Sequence, residues 1–410
     1  MVTLCLAAAL PSLAAPDRTE SWLQQRTQDD RYGALRARLA AQLRALLPEG
    51  AELIDAHTHL GRDEDGRELA PERLIEMLER AGIARACTFP LHDPERRPAF
   101  RAPNDRVLAW AAESGGRLIP FCRLDPAEEP LAEAERCLAA GAHGIKLHPR
   151  AQAFTLASDG EGAALEGIFA LAGEAGVPIL IHAGRGLPPI AEDLAALALR
   201  YPDTTLILAH AAICDQGRLS TLLAEHPRVL YDTSCFHPLD VLSLLARVPA
   251  ERIVLGSDPP YGDPSGGLLL ASRCALRMGL SDAQLRLLLG GTMAALLAGA
   301  PLPEPSAPRP PAQLQVDLTA ARLYGYLATA AGALFAQQSD RAVESIELAL
   351  TLCEDPRPGA LAAALELGRE ALELARAALG EDRQGRRAIA LIHLLMVIAA
   401  TDPLPRGAGA

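Results

Sequence analysis

Glu52-Leu53-Ile54-Asp55-Ala56-His57-Thr58-His59-Leu60-Gly61 is the stretch on which the fold turns. An apolar run closes on two histidines placed two residues apart. Side chains alternate between the faces of an extended strand, so His57 and His59 point the same way. Two neutral imidazoles side by side on a rigid element make half a metal site. Such pairs also arise by chance on exposed strands, where they bind nothing. The meaning of this pair therefore depends on what the later strands bring to it.

Outward from the pair, short apolar or β-branched runs alternate with longer amphipathic runs. The spacing predicts strands at 52–60, 84–91, 117–124, 144–149, 177–183, 204–211, 228–234 and 252–257. Helices follow at 71–82, 103–114, 130–141, 162–175, 189–200, 216–225, 238–247 and 266–279. Gly82, Gly141 and Gly176 end helices, and Pro178 starts a strand. Strict alternation implies parallel strands joined by crossovers. Eight strand–helix units over roughly 250 residues match a closed (β/α)8 TIM barrel. A doubly wound open sheet is the competitor, but its first turn should carry a glycine-rich phosphate loop, and this one carries His57 and His59.

The flanks divide the chain into four expected parts. Residues 1–50 form an N-terminal leader and helix, with Leu35, Leu39, Leu43 and Leu46 at helical spacing until Pro48 and Gly50. Residues 51–299 form the barrel, closed by one further helix at 281–297 that starts at a Ser281-Asp282 cap. Residues 300–312 form a linker with six prolines. Residues 313–410 form an all-α domain of about four helices, over 314–336, 340–353, 359–379 and 384–400.

Composition narrows the function classes. The chain has 410 residues, half of them hydrophobic, and a net charge of −12, which argues against nucleic acid as a partner. Eight scattered cysteines form no CxxC pair and read as reduced thiols of a cytoplasmic protein. Leu4–Leu13 is apolar, but no Lys or Arg precedes it and Pro11 breaks it, so a secretory signal is disfavoured. No stretch is long and uncharged enough to span a bilayer.

In a TIM barrel the reactive side chains sit at the C-terminal ends of strands. Here strand four carries Lys146 and His148, strand five ends in His182, strand six in His210 and strand eight in Asp258. A lone histidine closing an apolar strand is commonly a rim residue, and a strand-end aspartate before Pro259-Pro260 can simply cap a turn. Five separate strand ends with metal-ligand or carboxylate-binding residue types outweigh those individual explanations. Arg123 and Arg185, at or just past strand ends, are candidates for binding an anionic substrate. His92 and His237 follow strands two and seven on the reactive side, where substrate contact is the alternative, and with His143 and His148 they read as structural or local.

This pattern resembles the amidohydrolase superfamily of metal-dependent hydrolases, over about 51–300. Within it the chain looks most like the amidohydrolase-related branch, sometimes called amidohydrolase 2. The shared marks are His57-Thr58-His59, Asn104-Asp105, Phe121-Cys122-Arg123-Leu124-Asp125-Pro126, Gly144-Ile145-Lys146-Leu147-His148-Pro149, Ile181-His182-Ala183-Gly184, His210 and Gly256-Ser257-Asp258-Pro259-Pro260. The closing helix of that branch carries Gly-Gly-Asn-Ala, whereas this chain reads Gly290-Gly291-Thr292-Met293-Ala294. The resemblance implies that His57, His59, His182 and Asp258 bind a metal. It implies that His210 binds a second metal or polarises the substrate, and that Asp258 also takes a proton from the attacking water. A divalent ion lowers the pKa of water it holds from about 16 towards about 7. Zinc suits a histidine-rich site with one carboxylate, with manganese and iron as alternatives. Lys146 decides between one metal, with the amine facing a carboxylate substrate, and two metals bridged by a carboxylated lysine. One ion is the expectation.

Three functions follow. The first is a metal-dependent hydrolase of an amide, ester or lactone of a small molecule. The second is a decarboxylase or lyase of a small carboxylic acid on the same site. The third makes the barrel a scaffold and the helical domain a module for a protein partner or for homo-oligomers.

Overall fold

The apolar runs fold as one parallel barrel in the computed structural model of the chain, which describes residues 18–156, 162–308, 317–354, 361–379, 385–402 and 404. The expected leader before residue 18 and the end of the proline linker lie outside the described residues. The strands are β1 (Ile54–Arg62), β2 (Arg85–Pro90), β3 (Leu118–Pro120, continued by Cys122–Arg123), β4 (Ile145–Leu147), β5 (Ile179–Ile181), β6 (Leu206–Leu208), β7 (Val229–Asp232) and β8 (Ile253–Val254). A short strand, Glu68–Leu69, folds back antiparallel on the end of β1.

Each barrel strand pairs in parallel with the next. β3 is interrupted at Phe121, whose N–H still donates to Thr88 O at 2.8 Å while Cys122 N donates to Gly144 O at 2.9 Å. The ring closes between β8 and β1, where Ala56 N donates to Leu255 O at 2.7 Å and Asp258 N to His57 O at 2.8 Å. The helices lie outside, as right-handed crossovers require.

Alternation along the strands makes two apolar cores. Ile54, Cys87, Phe89, Ile119, Phe121, Leu180, Ile207, Leu230 and Val254 fill the barrel interior. Their neighbours, such as Ile145, Leu147, Ile179, Ile181, Leu206 and Leu208, pack outward under the helices. The expected single helix at 281–297 is three pieces, Asp282–Arg286, a wide turn at Leu287–Gly291, and Thr292–Leu297. The wide turn presses on the start of β1. A Cβ on Gly290 would stand 2.1 Å from Glu52 O.

Four helices follow the linker: Leu318–Phe335, Ser339–Cys353, Ala362–Leu379 and Arg386–Thr401. Leu323, Leu327, Ile346, Leu372, Ile392 and Leu395 give them a third core. The N-terminal helix, Arg18–Leu46, joins both bodies. Leu35 and Leu39 enter the helical core, whereas Leu43 enters the barrel's outer core. Helix Arg386–Thr401 packs on the barrel helix Pro264–Arg277, and Arg273 Nε donates to Thr401 Oγ1 at 2.8 Å. The seven described cysteines carry free thiols. Among the described residues no helix is long and apolar enough to cross a membrane.

Candidate metal centre

Simple alternation from Ile54 would turn His57 and His59 outward, because Ile54 and Ala56 face the interior. A register shift between Asp55 and Thr58 corrects this, inserting one extra residue opposite β2. The bulge makes Ala56 and His57 both face inward and carries His59 with them, while Leu60 packs outward. Bulges of this kind re-aim side chains beside functional sites. The same inward rows place Arg123 on β3, Lys146 on β4, His182 past β5, Asp232 on β7 and Asp258 past β8. Two glycines permit the crowding. A Cβ on Gly256 would lie 3.1 Å from Asp232 and 3.2 Å from His57, and one on Gly184 would lie 2.6 Å from His210 and 2.8 Å from His182. His210 and Asp258 both hold φ of 58°, a conformation that costs an ordinary residue energy and that marks functional positions.

His57 Nε2, His59 Nε2 and Asp258 Oδ1 converge. The two nitrogens are 3.3 Å apart, and the carboxylate oxygen is 3.3 Å from His57 and 3.1 Å from His59. A tetrahedral ion with bonds of about 2.0–2.1 Å has edges of about 3.3 Å. His57 Nδ1 donates to Asp232 Oδ2 at 2.7 Å, which fixes its proton there and leaves Nε2 as a lone pair. Asp232 is braced in turn by His210 N at 2.8 Å and Ser234 N at 3.0 Å, both on Oδ1. The donor set therefore fits a divalent cation, with Asp232 as its support.

Electrostatics agree. Burial and Lys146 push His57 down, but Asp232 and Asp258 outweigh them and raise it. Burial holds His59 at about 3. Burial acts to raise Asp258, yet the neighbouring His57, His59 and His210 keep it well below the usual carboxylate range. Asp232 sits at about 2, because His57 outweighs its burial. Asp55 is different. Burial lifts it to about 7 although Ser257 and the backbone of His57 donate to it.

Two further histidines stand alongside. His210 Nδ1 lies 2.9 Å from the Ser234 carbonyl, which requires its proton there. His210 Nε2 then accepts from His182 Nδ1 at 3.0 Å. His182 Nε2 is left as a buried lone pair with no partner. One set of proton positions satisfies the whole chain, with both rings neutral, and burial lowers the pKa of each. His148 stacks on His182 with centroids 3.9 Å apart.

The opposite side of the mouth is cationic. Lys146 Nζ is buried without a hydrogen bond, 4.6 Å from the centroid of Phe89, and burial lowers its pKa to about 7. Arg123 is buried, donating to Pro90 O at 3.2 Å and touching Gln152 and His92. Arg150, on the short helix Pro149–Gln152 after β4, and Arg185, on the loop after β5, are exposed and joined by Arg150 NH1 to Arg185 O at 3.1 Å. All four line one cleft of about 2640 Å³ with the His–Asp cluster, and its far wall comes from the helical region, including Phe335, Ile389 and His393.

The structure thus gathers His57, His59 and Asp258 into one group, with a second group of His57, His210 and Asp232 sharing His57. His182 belongs to neither and stands beside His210. Sequence reasoning passed over Asp232, although it ends an apolar strand just as Asp258 does. It also gave no role to Asp55 or Ser234, whose importance lies in partners far away in sequence. His92 lines the cleft beside Arg123, His237 binds Tyr324 outside it, and His143 lies at the closed end of the barrel.

No curated protein matches the chain. Similar solved structures include an uncharacterised TIM-barrel protein, Bb4693, from Bordetella bronchiseptica (16% identity, 60% of this chain and 99% of that one, TM-score 0.47). Others are IDCase from Metarhizium anisopliae in apo form (14%, 61% and 98%, 0.49) and 4-oxalomesaconate hydratase from Rhodopseudomonas palustris (15%, 60% and 96%, 0.44). A family model described as amidohydrolase matches residues 54–298, from the first residue of β1 to the end of the closing helix. With more than half its length matched and a His–His–Asp group at the barrel mouth, this chain belongs to the metal-dependent amidohydrolase family.

Proposed function

We propose that this chain is a hydrolase that uses one divalent metal to cleave an amide, ester or lactone bond in a small anionic molecule. The carrying observation is the convergence of His57 Nε2, His59 Nε2 and Asp258 Oδ1 opposite four cationic side chains that form no ion pair among the described residues. His57, His59 and Asp258 would hold the ion, and the free Nε2 of His182 supplies a further donor. Zinc suits these ligands. When bound, such an ion supplies Lewis acidity and lowers the pKa of water beside it.

The chain's own residues do the rest. Asp258, ionised by its histidine neighbours, accepts a proton from the attacking water and passes it to the leaving group. His210 keeps its proton on Nδ1 against Ser234 and so orients His182, which makes it a support in this geometry and not a hydrogen-bond donor to substrate. Lys146, Arg150 and Arg185 attract and orient the anion, while Arg123, held by neutral partners, adds positive potential from behind. Lys146 remains an amine in this reading. The same cationic wall favours a second reaction on the site, loss of carbon dioxide from a small carboxylic acid.

Metal analysis of protein purified without added metal, paired with His57→Ala, tests the proposal. The parent should carry one ion per chain, and His57→Ala should lose both the ion and at least about 1,000-fold in turnover. A parent that lacks stoichiometric metal and cannot be loaded with it would sink the reading. Release of carbon dioxide without water incorporation would replace the hydrolase with the lyase.

A further inference from the structure

The loop after β7, Thr233-Ser234-Cys235-Phe236-His237, touches the metal centre at one end and the helical region at the other. At the near end, Ser234 presents its carbonyl to His210 Nδ1 at 2.9 Å and its hydroxyl to the same nitrogen at 3.0 Å. At the far end, the Phe236 ring stacks on His393, with centroids 4.8 Å apart and planes 28° apart. Phe335 meets Phe236 edge-on at 5.2 Å, and His237 Nδ1 is 3.2 Å from the Tyr324 hydroxyl. Tyr324 and Phe335 lie on helix Leu318–Phe335, and His393 lies on helix Arg386–Thr401. Two helices therefore grip two consecutive loop residues, and only one residue separates that grip from Ser234.

The grip matters because the proton positions at the centre begin at Ser234. Its carbonyl fixes the His210 proton on Nδ1, His210 Nε2 then accepts from His182, and His182 Nε2 is left free as a donor to a metal. Within the loop, Cys235 N to Thr233 O is a local turn, and Thr233 N ties the loop's start to Val254 O at 3.1 Å, leaving the Phe236 end to the helical region. A drift of Ser234 by a fraction of an ångström would loosen the first bond of this series. His393 is also a costly choice if it serves only to fill space. It is buried, its ring hydrogen-bonds the Phe236 backbone, its Nε2 has no partner among the described residues, and burial holds it neutral with a pKa of about 4. A leucine would fill similar space without leaving a polar atom unpaired.

We propose that Phe236 and His393 are positioning residues, through which the helical region holds the β7 loop and so sets Ser234, His210 and His182 for metal binding. This rests on the metal-centre reading above. It gives the helical region a task at the active site of its own chain.

Cobalt(II) loading of the full-length protein tests it, read by visible absorption and by chelator competition. His393→Leu removes the unpaired nitrogen along with the ring's bond to the Phe236 backbone, so it should melt close to the parent. It should nevertheless bind cobalt about 10-fold more weakly, the size of effect seen when the support of a ligand is lost, and its visible bands should shift. His393→Phe, which keeps an aromatic face against Phe236, should stay within about threefold of the parent. Phe236→Leu should repeat the loss seen with His393→Leu, so a folding failure in one leaves the other decisive. Leucine variants with the parent's affinity and spectrum would overturn the inference, as would a phenylalanine variant no better than leucine. A parent that takes up no cobalt would instead refute the metal-centre reading itself.

Discussion

The two sides of the barrel mouth are built on opposite electrostatic plans. On the side of β7, β8 and β1, Asp232 and Asp258 each meet a histidine within 3.3 Å, and Asp55 meets two backbone N–H groups and a serine hydroxyl. On the side of β3 to β5, Arg123, Lys146, Arg150 and Arg185 form no ion pair among the described residues. The first side pairs its carboxylates internally, with His59 Nδ1 left unpaired among the described residues, and its imidazole nitrogens and carboxylate are spaced to receive a cation. The second carries positive charge that no ion pair among the described residues offsets. Low-dielectric clefts lined by one sign of charge concentrate ligands of the other sign. Together the two sides describe a metal centre facing an anion-binding wall.

The comparison breaks most easily at Asp232. If the first side is preorganised, removing its support should weaken the metal even though the ligands remain. Asp232→Asn keeps the shape but cannot hold the His57 proton as a carboxylate does. Metal affinity, read by competition with a chromophoric chelator, should fall about 10- to 100-fold. An unchanged affinity would mean that β7 serves only the fold.

How much of this was legible from sequence follows from which interactions are local. The barrel was legible because periodicity is local. Each apolar run reported its own strand, and the predicted and observed ends differ by only a few residues. The strand-end histidines and Asp258 were legible for the same reason. The direction of His57 and His59 was not, because the inward turn comes from a bulge against β2 that no spacing announces. Asp232 shared the signal of Asp258, but its meaning depends on His57, 175 residues away. The closing helix failed as a single element because Gly290 must pass against Glu52 O, at the start of the first strand and far away in sequence. The bond between Phe236 and the helical region was hidden for the same reason. It joins segments whose individual patterns report only loop and helix.

The second side can be sharpened at Lys146. Its amine has a pKa of about 7 in the fold and 10.5 when exposed. Between those values the unfolded chain binds more protons, so this residue makes stability rise as pH climbs from about 7 to about 10.5. Below pH 7 the amine is charged in both states, and its full burial cost is present. Lys146→Met should therefore stabilise the metal-free protein by about 2–4 kcal/mol at pH 6, with the gain fading towards pH 10. Urea unfolding at the two pH values checks this. Equal gains at both would mean that the amine finds a counter-charge within the wall.

Arg185 marks the outer edge of the same wall, where water competes and the effect is smallest. It is exposed, and its backbone carbonyl, not its guanidinium, holds Arg150. A guanidinium in that setting contributes about 1 kcal/mol or less to an ion pair. Arg185→Ala should accordingly raise KM for an anionic substrate about three- to fivefold, leave kcat unchanged, and lose most of its effect in high salt. A neutral substrate of the same shape should not register the change. If kcat falls instead, Arg185 contacts the reacting group, and the boundary between the anion-binding wall and the metal centre lies further out along the β5 loop than its exposure suggests.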